Sequence, residues 1–148
     1  MTPTLEQIFS FMSGLAVVGW LALAFAPLRR PMLVAAARVI AALLALAYVV
    51  LIYRGLTATG GPDGGGFGSL AAVMILLSTP AAMLPGWIHY LCFDLWVGTW
   101  QVEDAPKAGV PHWLLLPILG LTFMFGPAGL LTYLVARLLM SRLRPRAA

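Results

Sequence analysis

The sequence predicts an all-α integral membrane bundle of four transmembrane helices, with a short extra interfacial or re-entrant helix. Three observations carry this. The 148 residues are 61% hydrophobic and only 9% charged, against about 25% charged in soluble domains. The apolar residues fall in runs of membrane-spanning length. Most of the few charges sit between or beyond those runs. A water-soluble globule of this size leaves much of its surface wet and has too few polar residues here to cover it. Lipid is therefore the expected solvent, and one domain occupies residues 1–148.

The first run covers about residues 5–26. At about 1.5 Å per residue, some 22 residues cross a hydrocarbon core of about 30 Å. Its leading segment has Glu6 and no Lys or Arg. A secretory leader needs a basic start, so the run is read as a retained span although Ala22-Leu23-Ala24 imitates a cleavage site. Pro27-Leu28-Arg29-Arg30-Pro31 stops it. The second span covers about 32–53, and its one charge, Arg38, lies near enough to the start to snorkel. Residues 54–68 form the longest loop. Its glycine run lacks the Lys-Ser/Thr of a phosphate loop and reads as a flexible connector.

Residues 69–101 are too long for one span and too short for two with a turn. A short helix over 69–79 and a full span over 80–101 divide them, with Pro80 and Pro85-Gly86 as interruptions. The break at 78–86 is a candidate cavity wall, since irregular backbone at membrane depth needs protein or a cavity around it. Ser78 and Thr79 are expected to bond back to helix carbonyls and bend the chain. After a polar link holding Glu103, Asp104 and Lys107, the last span covers 112–139, kinked by Pro117, Gly120 and Gly126-Pro127. Trp87, Trp96, Trp100 and Trp113 suit aromatic belts. Ser10/Gly14 and Thr122/Gly126 have the spacing of close helix contacts, and a homodimer is possible.

The net charge is +4, with Arg29 and Arg30 in one cluster and Arg137, Arg142, Arg144 and Arg146 in another. Flanking apolar runs, these point to membrane lipids and not to nucleic acid. Four spans would put both termini on one side and leave one arginine cluster outside, against the positive-inside rule. Five crossings would place both clusters inside, but need a very short helix at 69–79. The single Cys92 excludes an intrachain disulfide and reads as a structural thiol.

Asp94 is the only acidic residue deep inside a predicted span, Glu6 standing at the very start of the first. A carboxylate at that depth costs a few kcal/mol, so it should face the bundle interior and find a partner. His89 lies five positions earlier, about 140° around the helix. The two can share a pocket if that helix is central or bent. Trp87, Tyr90, Asp94 and Gln101 fall on one face. From the residues alone three readings stand: a structural lock, acid–base chemistry, or metal binding by His89, Asp94, Glu103, Asp104 and His112. No metal-ligand spacing motif supports the last, no metal ligand is assigned, and no cofactor can be named.

The run Gly86-Trp87-Ile88-His89-Tyr90-Leu91-Cys92-Phe93-Asp94-Leu95-Trp96-Val97-Gly98 is less generic. With Trp100, Glu103-Asp104-Ala105, Pro117, Leu121-Thr122-Phe123 and Phe125-Gly126-Pro127-Ala128-Gly129-Leu130, and with Gly68-Ser69-Leu70 and Pro80, it resembles the ABA4-like family, related to plant abscisic-acid-deficient 4. The resemblance covers most of the chain in order. It implies a membrane protein linked to carotenoid biosynthesis, the plant members being tied to formation of neoxanthin from violaxanthin. That isomerisation turns a cyclic epoxide into an allenic alcohol and needs a proton donor and a base. On the positions that match the family's motif, we assign these roles to His89 and Asp94, with Glu103 or Asp104 as helper, and expect substrate binding at Trp87, Tyr90, Trp96 and Thr122. The expected activity is a membrane-embedded isomerase acting on a carotenoid or related isoprenoid. A non-catalytic pigment-binding or pigment-enzyme-assembly protein, or a small transporter or metal-handling protein, are the alternatives. The composition points to a bacterial inner membrane.

Overall fold

The computed structural model describes residues 4–59 and 62–143. They form six helices and, among the described residues, no strand: α1 (Leu5–Ala24), α2 (Arg30–Thr59), α3 (Leu70–Leu76), α4 (Pro80–Ala108), α5 (His112–Phe125) and α6 (Pro127–Leu143). The Gly60-Gly61 part of the predicted connector and the distal arginines Arg144 and Arg146 lie outside them.

Local chemistry explains the ends. Thr4 and Gln7 form a reciprocal capping box at α1, satisfying two backbone donors that the helix cannot. Ser69 caps α3 and Thr79 caps α4, where Pro80 stands at a first-turn position that needs no N–H. Ser78 does bond back to the Ile75 carbonyl, at 2.8 Å, whereas Thr79 starts the next helix. α3 and α4 meet at 104°. Gly109, at φ 79°, ends α4 in the left-handed conformation that glycine adopts without strain.

α1 and α2 are long and apolar enough to cross a membrane, and the bent pair α3–α4 makes a third candidate. Side-chain contacts give their directions. Phe9 and Ser13 of α1 meet Trp87, and Gly19 meets Leu95, so α1 runs parallel to α4. Tyr48 of α2 meets His89 while Arg38 pairs with Glu103, so α2 runs antiparallel to α4. The close approaches are at Gly19 and Gly98, not at the predicted Gly14, which has nothing within 4 Å of a Cβ. A Cβ on Gly98 would lie 2.8 Å from the Trp20 ring.

The last apolar run departs most from expectation. It is not a kinked span over 112–139 but two helices folded back on each other at Gly126. Position 129 packs against Thr122, although seven residues of straight helix would hold them about 10 Å apart. Leu114, Pro117 and Leu121 of α5 and Thr132, Ala136 and Met140 of α6 line one groove between the arms. α5 thus climbs to the Gly126 tip and α6 returns. At 14 and 17 residues the arms are each shorter than the roughly 20 that a crossing requires. The four-span expectation gives way to three candidate crossings and one hairpin.

The hairpin turns at depth. Gly126 is buried, at φ 28° and ψ −87°, and a Cβ there would lie 2.5 Å from the Asp94 Oδ1. Asp94 is the middle residue of the 29 in α4. Gly126→Ala therefore meets both a strained backbone and a carboxylate. It should cost about 1–3 kcal/mol, read as a lowered thermal unfolding midpoint in detergent. Gly120→Ala, with nothing within 4 Å, should leave the midpoint unchanged or slightly raised. Equal midpoints for the two variants would contradict the hairpin tip.

Candidate functional site

The candidate site is built where the stripe of α4 meets the hairpin. A helix end at membrane depth leaves carbonyls and amides without partners, and no water is present to take them. Tyr90 answers part of this. Its hydroxyl lies 3.0 Å from the Met124 carbonyl and 3.3 Å from that of Phe123, donating to the end of α5. Pro127 opens α6 and so removes one orphan donor. One turn of α4 beyond Tyr90, the Asp94 carboxylate sits against Gly126 at the start of α6, where the helix dipole favours an anion. Its Oδ2 is buried with no hydrogen-bond partner. A carboxylate oxygen in such a place is costly, and the interaction of Asp94 with the Tyr90 side chain offsets only part of that cost.

The rest of the stripe is satisfied. Trp87 donates to Ser13 at 3.0 Å and packs on Tyr90. Gln101 is fully buried, accepts from the Thr122 hydroxyl at 3.1 Å and reaches the Gly129 carbonyl at 3.5 Å. Thr122, expected at the substrate, is thus wholly enclosed and ties α5 to Gln101 of α4, which in turn holds α6 through the Gly129 carbonyl. Trp96 is exposed and stacks under Arg38, whose Cζ is 5.5 Å from the ring centroid.

His89 and Asp94 find different neighbours. The imidazole is exposed, stacks on Phe93 at 4.6 Å between centroids and tilts against Tyr48 of α2. The carboxylate faces the hairpin. The 140° between them is not closed by a bend. Glu103 and Asp104 do not join Asp94 either, since nine or ten residues of helix separate them by about 14 Å. Glu103 pairs with Arg38. Asp104 accepts from Tyr133 at 2.8 Å and Arg137 at 2.6 Å. His112 bonds the Ala24 carbonyl at 2.8 Å through Nε2. Among the described residues no three His, Cys, Asp or Glu side chains converge as metal ligands. Cys92 points to α2, its thiol 3.3 Å from the Ala41 carbonyl.

Sequence spacing did not single out the contact of Asp94 with the Gly126 tip. The available signal was Gly-Pro in an apolar run together with one membrane carboxylate. Between the hairpin arms an apolar groove of about 470 Å³ is lined by Leu114, Pro117, Leu121, Thr132, Val135 and Met140. Its upper residues, Leu121 and Thr132, lie five and six positions from the tip.

Asp104 lies past the apolar stretch of α4. Its hydrogen bond to Arg137, aided by that to Tyr133, holds the carboxyl below the usual carboxylate range despite partial burial. A depressed folded-state value stabilises above the ordinary pKa of about 3.9 and is lost as pH falls below it. Wild type and Asp104→Asn should therefore differ in unfolding midpoint from pH 7 down to about 5, and converge below pH 4. A gap that persists unchanged at pH 3 would contradict the Asp104–Arg137 tie.

Comparison with known proteins places this chain in a family. No curated protein and no solved structure matches the chain. The family model described as ABA4-like: ABA DEFICIENT 4-like matches residues 7–133, which includes α4, the hairpin tip and Tyr133. The run around Asp94 and the turn at Gly126 both fall inside that match, and the chain belongs to the ABA4-like family.

Proposed function

We propose that this protein is a membrane-embedded isomerase acting on a carotenoid or related isoprenoid, with Asp94 as its reactive group. The observation that carries the reading is the buried, unpartnered Oδ2 of Asp94 beside the Gly126 tip, in a helix otherwise free of acidic residues until Glu103. Such an oxygen can take a carbon-bound proton from a ligand that arrives dry. Tyr90, one turn away and within electrostatic reach of the carboxylate, carries the nearest hydroxyl of the stripe. In an epoxide isomerisation the carboxylate accepts the proton, the freed electron pair forms the new double bond, and the C–O bond opens. A hydroxyl or carboxylic acid then protonates the alkoxide, so no redox partner is consumed. The apolar groove along the hairpin suits a polyene entering from lipid. His89 belongs to the opposite sector and would shape the ligand's surroundings through Tyr48 and Phe93.

One observation favours a second reading, a non-catalytic pigment-binding or assembly protein. Tyr90 and Asp94 also complete the hairpin tip, so a structural role accounts for both. Expression in a carotenoid-producing host separates the two readings. Under the enzymatic reading the wild-type chain changes the pigment profile. Asp94→Asn, which keeps shape and removes the base, should reduce that change at least a hundredfold. Tyr90→Phe should reduce it less, and His89→Ala least. A folded Asp94→Asn protein with an unaltered pigment change would remove the enzymatic reading.

The charges suggest an orientation in a bacterial inner membrane. Arg29, Arg30, Arg38, Lys107, Arg137 and Arg142 gather at one end of the bundle with Glu103 and Asp104, while Arg54 stands at the other with Glu6 and Asp63. The basic end is assigned to the cytoplasm. A cysteine placed at Ser141 in a Cys92→Ala background should resist impermeant maleimide in intact cells and react after lysis. One placed at Asp63 should react in intact cells.

A further inference from the structure

On the side of α4 away from the hairpin, α2 and α4 present a second polar pair. Tyr48 and His89 tilt against each other with ring centroids 5.6 Å apart, and Phe93 stacks on the imidazole at 4.6 Å. His89 is exposed, Tyr48 half-buried and Phe93 59% exposed, so the three rings open outward between the two helices. Among the described residues neither the Tyr48 hydroxyl nor the His89 ring nitrogens have a hydrogen-bond partner. A neutral imidazole carries one donor and one acceptor, and a phenol can act as both. On the outer face of an apolar crossing helix no water reaches them, and leaving them unpaired is costly. Polar side chains in such helices characteristically face a partner or mark a ligand's path.

Position narrows the partner. His89 lies about 14 Å into α4 from Pro80, and Tyr48 about 17 Å into α2 from Thr59. The headgroup and glycerol esters of a lipid stay near the helix ends, so the ligand must carry its oxygen inward on an apolar body. Three aromatic walls suit a flat unsaturated ring better than a saturated acyl chain. We propose that Tyr48 and His89 bind the oxygen-bearing ring of an isoprenoid ligand, with Phe93 as the stacking face. The His89 N–H and the Tyr48 O–H donate to the ring oxygen, and the site binds without chemistry. Two sources bring this group into lipid: the hydroxylated end ring of a carotenoid, or the carbonyl ring of an isoprenoid quinone. Asp94 faces the other way, toward Gly126, so the site does not rest on the isomerase reading.

The test uses purified full-length protein in neutral detergent, titrated separately with zeaxanthin, with β-carotene (the same polyene without hydroxyls) and with decylubiquinone. Binding is read by native mass spectrometry and by the shift in thermal midpoint. His89→Phe and Tyr48→Phe keep the stacked rings and remove only the polar atoms. Each should weaken binding of the oxygenated ligand roughly tenfold, as loss of one hydrogen bond does. β-Carotene should bind wild type and both variants equally weakly. A response to zeaxanthin alone identifies a carotenoid ring, one to decylubiquinone alone a quinone, and one to both the ring oxygen itself. Wild type that fails to prefer zeaxanthin over β-carotene and ignores decylubiquinone would overturn the site. So would a loss confined to Tyr90→Phe, which would move the ring to the Asp94 tip. A wild-type dimer that dissociates in His89→Phe would show that a second copy satisfies these rings, and would also overturn it.

Discussion

Everything above the basic end depends on how a chain reversal is tolerated inside an apolar helix bundle. A turn at that depth exposes carbonyls from one helix and amides from the next, and lipid satisfies neither. Here α4 supplies the answer. The Tyr90 hydroxyl takes the last carbonyls of α5, Pro127 deletes a donor, and the Asp94 carboxylate meets the start of α6. Two turns further on, the Gln101 amide and Thr122 hydroxyl tie both arms to the same helix. Remove this polar face and the hairpin loses the hydrogen bonds that hold it against α4.

The other faces of α4 carry different physics. Toward α1 the contact is steric, with Gly19 and Gly98 admitting Leu95 and Trp20 at distances a Cβ would forbid. In lipid, where apolar contact has no hydrophobic advantage, such close approach is what dispersion can offer. Toward α2 the contact is mixed: the Cys92 thiol to a carbonyl, the His89 ring to Tyr48, and the Arg38–Glu103 pair at the end. One helix is thus packed by shape, capped by hydrogen bonds and anchored by charge, each on its own sector.

Much of this was legible in the residues. Run lengths located α1 and α2, the prolines located the break before α4, and the stripe from Trp87 to Gln101 was readable as an inward face. Three things were not. Gly126-Pro127 reads alike as a kink or a reversal, because the difference lies in donors that α4 brings from thirty residues away. The extension of α4 to Ala108 was hidden by Glu103 and Asp104, which look like a polar link until Arg38 and Arg137 are seen to neutralise them. The partnership of His89 with Asp94 failed on angle: 140° is bridged only by a bent or surrounding helix, and α2 claims the imidazole side.

The hairpin also resolves a conflict in the charges. With four crossings, the arginines between the first two spans and those near the end of the chain fall on opposite sides, and one set violates the positive-inside rule. With α1, α2 and α4 as crossings and α5–α6 returning to the side it left, Arg29, Arg30, Lys107, Arg137 and Arg142 gather at one end. Both arms, at 14 and 17 described residues, are shorter than the typical crossing of about 20, and the fold-back puts the charges together. An even number of passes after α4 was the missing step. The cost of unpaired backbone in lipid and the preference for cationic ends on one side then point to the same topology.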